Sequence, residues 1–197
     1  MRQARYVIYF ILSMMLILPV PAYTASIVIS WNANAESDLA GYKVYSGTRS
    51  GVYGTPADIG NHTSCQFNNV QPGTTYFFAI TAYDTSGNES AKSTEASVYV
   101  PIPDTTPPTG TVAINSGSST TPSRAVTLTL SAADSGGTVI AMKFSNDGVN
   151  WSDEVPYASS QAWVLAEGDG VKTVYVNYKD AAGNWMSAPA SDTITFM

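Results

Sequence analysis

Along short stretches of this chain apolar side chains fall at every second position, and clusters of turn-forming residues separate one stretch from the next. In residues 125–132, Val126, Leu128 and Leu130 alternate with Thr127 and Thr129. A period of two sends the apolar set to one face of a β-strand and the polar set to the other. The same alternation groups Ile27, Ile29 and Trp31, and it sets Tyr42 and Val44 opposite Lys43 and Tyr45. Residues 75–83 are apolar or aromatic on both faces, as a central strand requires. Charged residues make up only 12% of the chain, and no long amphipathic stretch offers a helix. Strands of this length and spacing, divided by Gln71-Pro72-Gly73 and Asn146-Asp147-Gly148, predict antiparallel sheets packed face to face.

The pattern occurs twice. Asp84-Thr85-Ser86-Gly87-Asn88 follows the long aromatic strand of the first half, and Asp180-Ala181-Ala182-Gly183-Asn184 follows its counterpart in the second. The offset of 96 residues is about the length of one domain. Between the halves, residues 101–108 hold four prolines, which withhold N–H donors from any ladder and stiffen the connection. At the start, Arg2 and Arg5 precede an apolar run over residues 6–20 that ends at Pro21-Ala22. A basic, then apolar, then small-residue order predicts a cleavable secretory signal peptide, cut after Ala22 or after Ala25. An uncleaved inner-membrane anchor is the alternative, although fifteen residues fall short of the ~20 that span a bilayer. With the leader removed no membrane span is expected. The net charge of −6 disfavours nucleic acid as a partner. Cys65, the one cysteine, is expected on a strand and has no internal partner.

Residues 26–100 resemble a fibronectin type III domain of the kind found in exported bacterial proteins. The match rests on Trp31 closing an early strand, on residues 41–45 as a third strand, and on residues 70–76 as a corner. The resemblance implies that Trp31 is a core residue and that the Tyr76 hydroxyl bonds back to the turn before it. Cleavage at Ala22 leaves little chain for a first strand, so an open sheet edge is expected there. Residues 105–197 resemble bacterial immunoglobulin-like repeats through Thr106-Pro107-Pro108, residues 144–148 with Trp151, and residues 174–176 running into Asp180. The expected fold is all-β: two tandem immunoglobulin-like antiparallel β-sandwiches after a cleavable signal peptide. Its parts are a signal peptide over 1–22, a fibronectin type III-like domain over 23–100, a proline-rich linker over 101–108 and an Ig-like domain over 109–197.

No catalytic, cofactor or metal site is expected. His62 is the only histidine and lies in a polar loop without a nucleophile signature. Asp84 with Asn88, and Asp180 with Asn184, offer two oxygen ligands each, but an Asp that caps its own turn needs no metal. Asp153-Glu154 is the one adjacent acidic pair away from strand ends, and it sits beside Trp151 and Tyr157. The expected function is that of an exported, non-enzymatic structural or interaction protein presenting two sandwiches to a protein or polysaccharide of the cell envelope. The alternative is a carbohydrate-binding or adhesive module, with Trp151 and Tyr157 as candidate binding residues. A small hydrolase has the weakest support, because no nucleophile-and-base pair can be named.

Overall fold

The computed structural model describes the backbone of residues 9–13 and the whole of residues 25–197. The other residues of the expected signal peptide lie outside the described set. The chain forms two compact units, residues 1–103 and 104–197, and no helix occurs among the described residues.

The first unit contains β1 (Tyr9–Ser13), β2 (Ala25–Ser30), β3 (Leu39–Gly47), β4 (Ala57–Asp58), β5 (Ser64–Val70), β6 (Thr75–Asp84) and β7 (Ala96–Tyr99). One sheet has the order β1-β2-β5 and the other β4-β3-β6-β7, with every pairing antiparallel. Ile27 and Ile29 of β2, Tyr42 and Val44 of β3, and Phe78 and Ile80 of β6 meet in the core. Trp31 is 4% exposed and packs edge-on to Tyr42, with ring centroids 5.5 Å apart. The Gln71 N–H donates to the Tyr76 hydroxyl at 2.9 Å, fastening the turn before β6. Cys65 is half-buried on β5 against this core, and its burial pushes the thiol pKa up. In the full chain Tyr9–Ser13 pairs with Ser26–Ser30 along the edge of β2, the edge that cleavage after Ala22 is expected to leave open. The main-chain N–H and C=O groups of that segment pair with those of β2, as any extended strand's can.

The second unit contains β8 (Thr109–Ile114), β9 (Thr120–Thr121), β10 (Ala125–Ala133), β11 (Val139–Ser145), β12 (Val155–Pro156), β13 (Ser160–Val164), β14 (Gly170–Asp180) and β15 (Ala190–Phe196). Its sheets have the orders β13-β10-β8 and β12-β11-β14-β15-β9, the last pair parallel. Leu128, Met142, Phe144, Val176 and Tyr178 lie in its core. The internal repeat extends to a defect. β3 slips register between Leu39 and Gly41 against β6, and β11 slips between Val139 and Ala141 against β14.

Gly110 on β8 shows how closely the sheets approach. A Cβ there would fall 2.5 Å from the Tyr178 ring and 2.8 Å from the Ser131 carbonyl. The ring cannot swing away, because its hydroxyl donates to the Thr111 carbonyl at 2.7 Å and its edge packs on Tyr157. Gly110→Ala is therefore expected to destabilise the second unit by about 1–3 kcal/mol, read as a shift in its urea midpoint.

Candidate functional site

Both units carry a lysine on the outer face of the larger sheet, on β3 in the first and on β11 in the second, and what surrounds it differs. In the first unit Lys43 stands opposite Thr81, and a bridge between Tyr83 and Glu89 returns Glu89 to the same face. Glu89 accepts from Lys43 Nζ at 2.7 Å, the Tyr45 hydroxyl at 2.6 Å and the Thr81 hydroxyl at 2.7 Å. These donors, Lys43 foremost, hold its carboxyl at about 2 against an ordinary 4.5. Nearby, Glu95 accepts from the hydroxyls of Ser50 and Tyr53. Burial, and then that bond, push Tyr53 from 10.0 up to about 12. The face is thus saturated with internal partners.

That saturation sets a pH window. A depressed carboxyl stabilises fully above its unfolded value, so the Glu89 contribution is complete above about pH 4.5 and lost as pH falls through about 2. A raised phenol works the other way: the Tyr53 contribution is present below pH 10.0 and lost as pH rises through about 12. Melting curves against pH should show both limbs, and Glu89→Gln should reduce the acid limb without removing it, because Asp147 and Glu95 are depressed as well.

In the second unit Lys143 stands opposite Asn177, and a bridge between Lys179 and Trp185 takes the place of the one between Tyr83 and Glu89. Trp185 therefore occupies the position of Glu89. Without that carboxylate, Lys143 Nζ lies 4.4 Å from the centre of the Trp185 ring and 5.3 Å from that of Trp151. Lys179 Nζ lies 5.4 Å from the Trp185 ring and pairs with Glu154 at 3.1 Å. Both indoles are half-buried and keep part of their surface in solvent. Trp151 is positioned by the loop before it, where Asp147 Oδ1 accepts the N–H groups of Val149 and Asn150 and its Oδ2 takes the Asn150 side-chain amide. These donors, the Asn150 amide first, hold the Asp147 carboxyl far below the usual range. Asn177 places Oδ1 beneath this face, buried and without a hydrogen-bond partner. Aromatic faces beside cations and amide oxygens suit a ligand with both C–H faces and hydroxyls.

The structure brings Trp151 together with Lys143 and Trp185, and it does not bring Tyr157 to them. Tyr157 packs against the inner residue Tyr178, and its hydroxyl accepts from the Ala132 N–H at 3.1 Å. Of the Asp153-Glu154 pair, Glu154 is engaged with Lys179. His62 is exposed in the loop between β4 and β5. A shallow depression of about 400 Å³ beside Trp163 is lined by Ala125, Val126, Asn146, Ala162 and Val164, none of them an acid, base or nucleophile. Sequence reasoning missed two things. Trp185 follows a turn and carries no pattern of its own, although alignment of the two Asp-x-x-Gly-Asn turns would have paired it with Glu89. The second is a group of three acids, Asp104, Asp134 and Asp180, each contributing an oxygen within 4.8 Å of the others. They come from three distant segments, so no local spacing announces them.

Residues 20–99 match the family model of the fibronectin type III domain. Over 169 residues, 83% of its length, the chain is 33% identical to Chitinase A1 of Niallia circulans. Over 88 residues, 44% of its length, it is 39% identical to Chitinase Chi52 of Paenibacillus xylanexedens. The matched stretches are 22% and 16% of those two proteins. Among solved structures, the fibronectin(III)-like modules of Clostridium thermocellum CbhA align over 87% of this chain and 85% of theirs, at 19% identity and a TM-score of 0.40. With its two-sheet order, its buried Trp31 and its tyrosine-fastened corner, the first sandwich is a fibronectin type III domain.

Proposed function

We propose that this chain is an exported, non-catalytic binding protein whose second sandwich holds a polysaccharide on the face formed by Trp151, Lys143 and Trp185. The observation that carries the reading is the exchange between equivalent positions. Glu89 closes the first face on itself, whereas Trp185 leaves the second with two part-exposed indoles and a lysine free of any carboxylate among the described residues. Sugar rings stack on such platforms through their C–H faces, and neighbouring amide and ammonium groups meet the hydroxyls. The relatives named as chitinases support a polymer substrate in the surroundings of this chain, with chitin the first polymer to try. The leader-like start supports export. Among the described residues no helix is long and apolar enough to cross a membrane. The fibronectin type III domain then serves as a spacer.

A fluorescence titration tests this reading. Trp151 and Trp185 keep solvent contact while Trp31 is buried, so soluble oligosaccharides that occupy the face should shift tryptophan emission saturably. Unchanged emission across N-acetylglucosamine, glucose and xylose oligomers would remove the basis for the proposal.

A further inference from the structure

Three carboxylates gather at one end of the second unit. Asp104 stands at its start, Asp134 follows β10 directly, and Asp180 closes β14. Asp180 is wholly buried. Its oxygens accept the Asn184 N–H at 2.8 Å and the Asn184 side-chain amide at 2.9 Å. Asp104 Oδ1 accepts the Thr106 N–H at 2.9 Å, and Asp134 Oδ2 accepts the Gly136 N–H at 3.1 Å. Asp134 Oδ1, by contrast, is sealed from solvent and has no hydrogen-bond partner. Among the described residues no Lys, Arg or His forms an ion pair with any of the three.

Carboxylates this close repel one another, and neutral amide donors do not cancel the charge, least of all where one group is fully desolvated. The loop is nevertheless built to hold them together. A Cβ at Gly136 would collide with the Asp104 carboxylate, and one at Gly137 would press on Asp134 Oδ2 at 3.3 Å. Nor is the cluster a by-product of the Asp180 turn. Asp84 makes the same turn in the first unit, accepting from the Asn88 N–H and side-chain amide, and among the described residues it belongs to no cluster of three such acids.

We propose that Asp104, Asp134 and Asp180 bind one Ca²⁺ ion, with Asp134 Oδ1 as a ligand. The donors are all hard oxygens, which select Ca²⁺ or Mg²⁺ over zinc and other softer metals. Oxygens held within 4.8 Å of one another fit around an ion with Ca–O bonds of ~2.4 Å. Mg²⁺ demands a tighter octahedron and gives up its water reluctantly, so it is the weaker ligand. Once bound, the ion ties the segment at Asp104 to the ends of β10 and β14. This inference is independent of the polysaccharide reading, since the three acids are distinct from Lys143, Trp151 and Trp185.

Calorimetric titration and thermal melts of the full chain, stripped with EDTA and then given CaCl₂ or MgCl₂, test the site. One Ca²⁺ per chain is expected, bound about tenfold more tightly than Mg²⁺. Excess Ca²⁺ should raise the melting transition of the second unit by about 5 °C. Asp134→Asn should lose about tenfold or more in Ca²⁺ affinity. In EDTA the same variant should melt no lower than the parent, because it sheds a repulsive charge while an amide oxygen still accepts the Gly136 N–H. Asp84→Asn should bind Ca²⁺ as the parent does. Absence of both a binding heat and a Ca²⁺-dependent rise in melting would overturn the proposal. So would parent-like Ca²⁺ affinity in Asp134→Asn, or melting of that variant well below the parent in EDTA.

Discussion

Phe78→Ala is expected to unfold the fibronectin type III domain while leaving the melting transition of the second sandwich in place. Phe78 sits at the middle of β6, fully buried, with its ring 4.9 Å from that of Phe67 on the facing sheet. It bridges the two layers where Ile27, Ile29 and Ile80 also converge. Removing a buried phenyl ring loses its transfer free energy and leaves a cavity that a β-sandwich collapses poorly, a cost of about 3–5 kcal/mol. Domains of this size commonly hold only about 5–15 kcal/mol in total, so the loss takes most of the margin. The cores of the two units share no residue, which is why the second transition should stay where it is. Scanning calorimetry of the variant separates the cases: loss or steep lowering of one transition is expected, and a fall in both would show that the units do not fold separately.

Trp185→Glu is expected to abolish polysaccharide retention without unfolding the chain. The substitution rebuilds the arrangement of the first domain, in which a carboxylate at this position neutralises the strand lysine. Lys143 would gain an ion pair in place of the Trp185 indole face, and an exposed pair of that kind changes stability by about 0–1 kcal/mol. The binding face would lose one of its two aromatic anchors, and such anchors contribute about 2 kcal/mol or more to an interface. A weakening of about thirtyfold or greater should follow, measured by affinity electrophoresis through gels containing soluble polysaccharide. Trp151→Ala should act in the same direction, and Trp163→Ala should not. Trp163 instead packs on Phe144 and donates to Asn146 Oδ1 at 2.8 Å, so its loss should be read in stability.

The sequence made the sheets legible where burial is one-sided. Val126, Leu128 and Leu130 read directly as inner residues of β10, whereas the role of Tyr76 came from the resemblance of residues 70–76 to a fibronectin type III corner rather than from its hydrophobicity. Short strands were not legible. Thr120–Thr121 and Val155–Pro156 are two residues each, too brief for a period to register, and they exist because longer neighbours offer them an edge. Tyr157 shows a different limit. Proximity in sequence grouped it with Trp151, but the two lie on opposite faces of the sheet, because β12 lies between them and Tyr157 turns toward Tyr178. The acid cluster was illegible for a stronger reason. Its members are separated by 30 and 46 residues, and only the closing of the sandwich brings Asp104, Asp134 and Asp180 to one point. The repeat held information that local reading left unused. Aligning Asp84 with Asp180 aligns Glu89 with Trp185, and that single difference distinguishes a self-satisfied face from one with two part-exposed indoles beside its lysine.

Equilibrium depletion of the full chain from solution by insoluble polysaccharide tests the binding function most directly. The account predicts saturable loss of protein to at least one polymer among chitin, cellulose and xylan, reversed by soluble oligomers of the same sugar. A chain that stays in solution with every polymer, while one envelope protein co-purifies with it stoichiometrically, would contradict the polysaccharide reading and make the sandwiches a protein-docking pair instead.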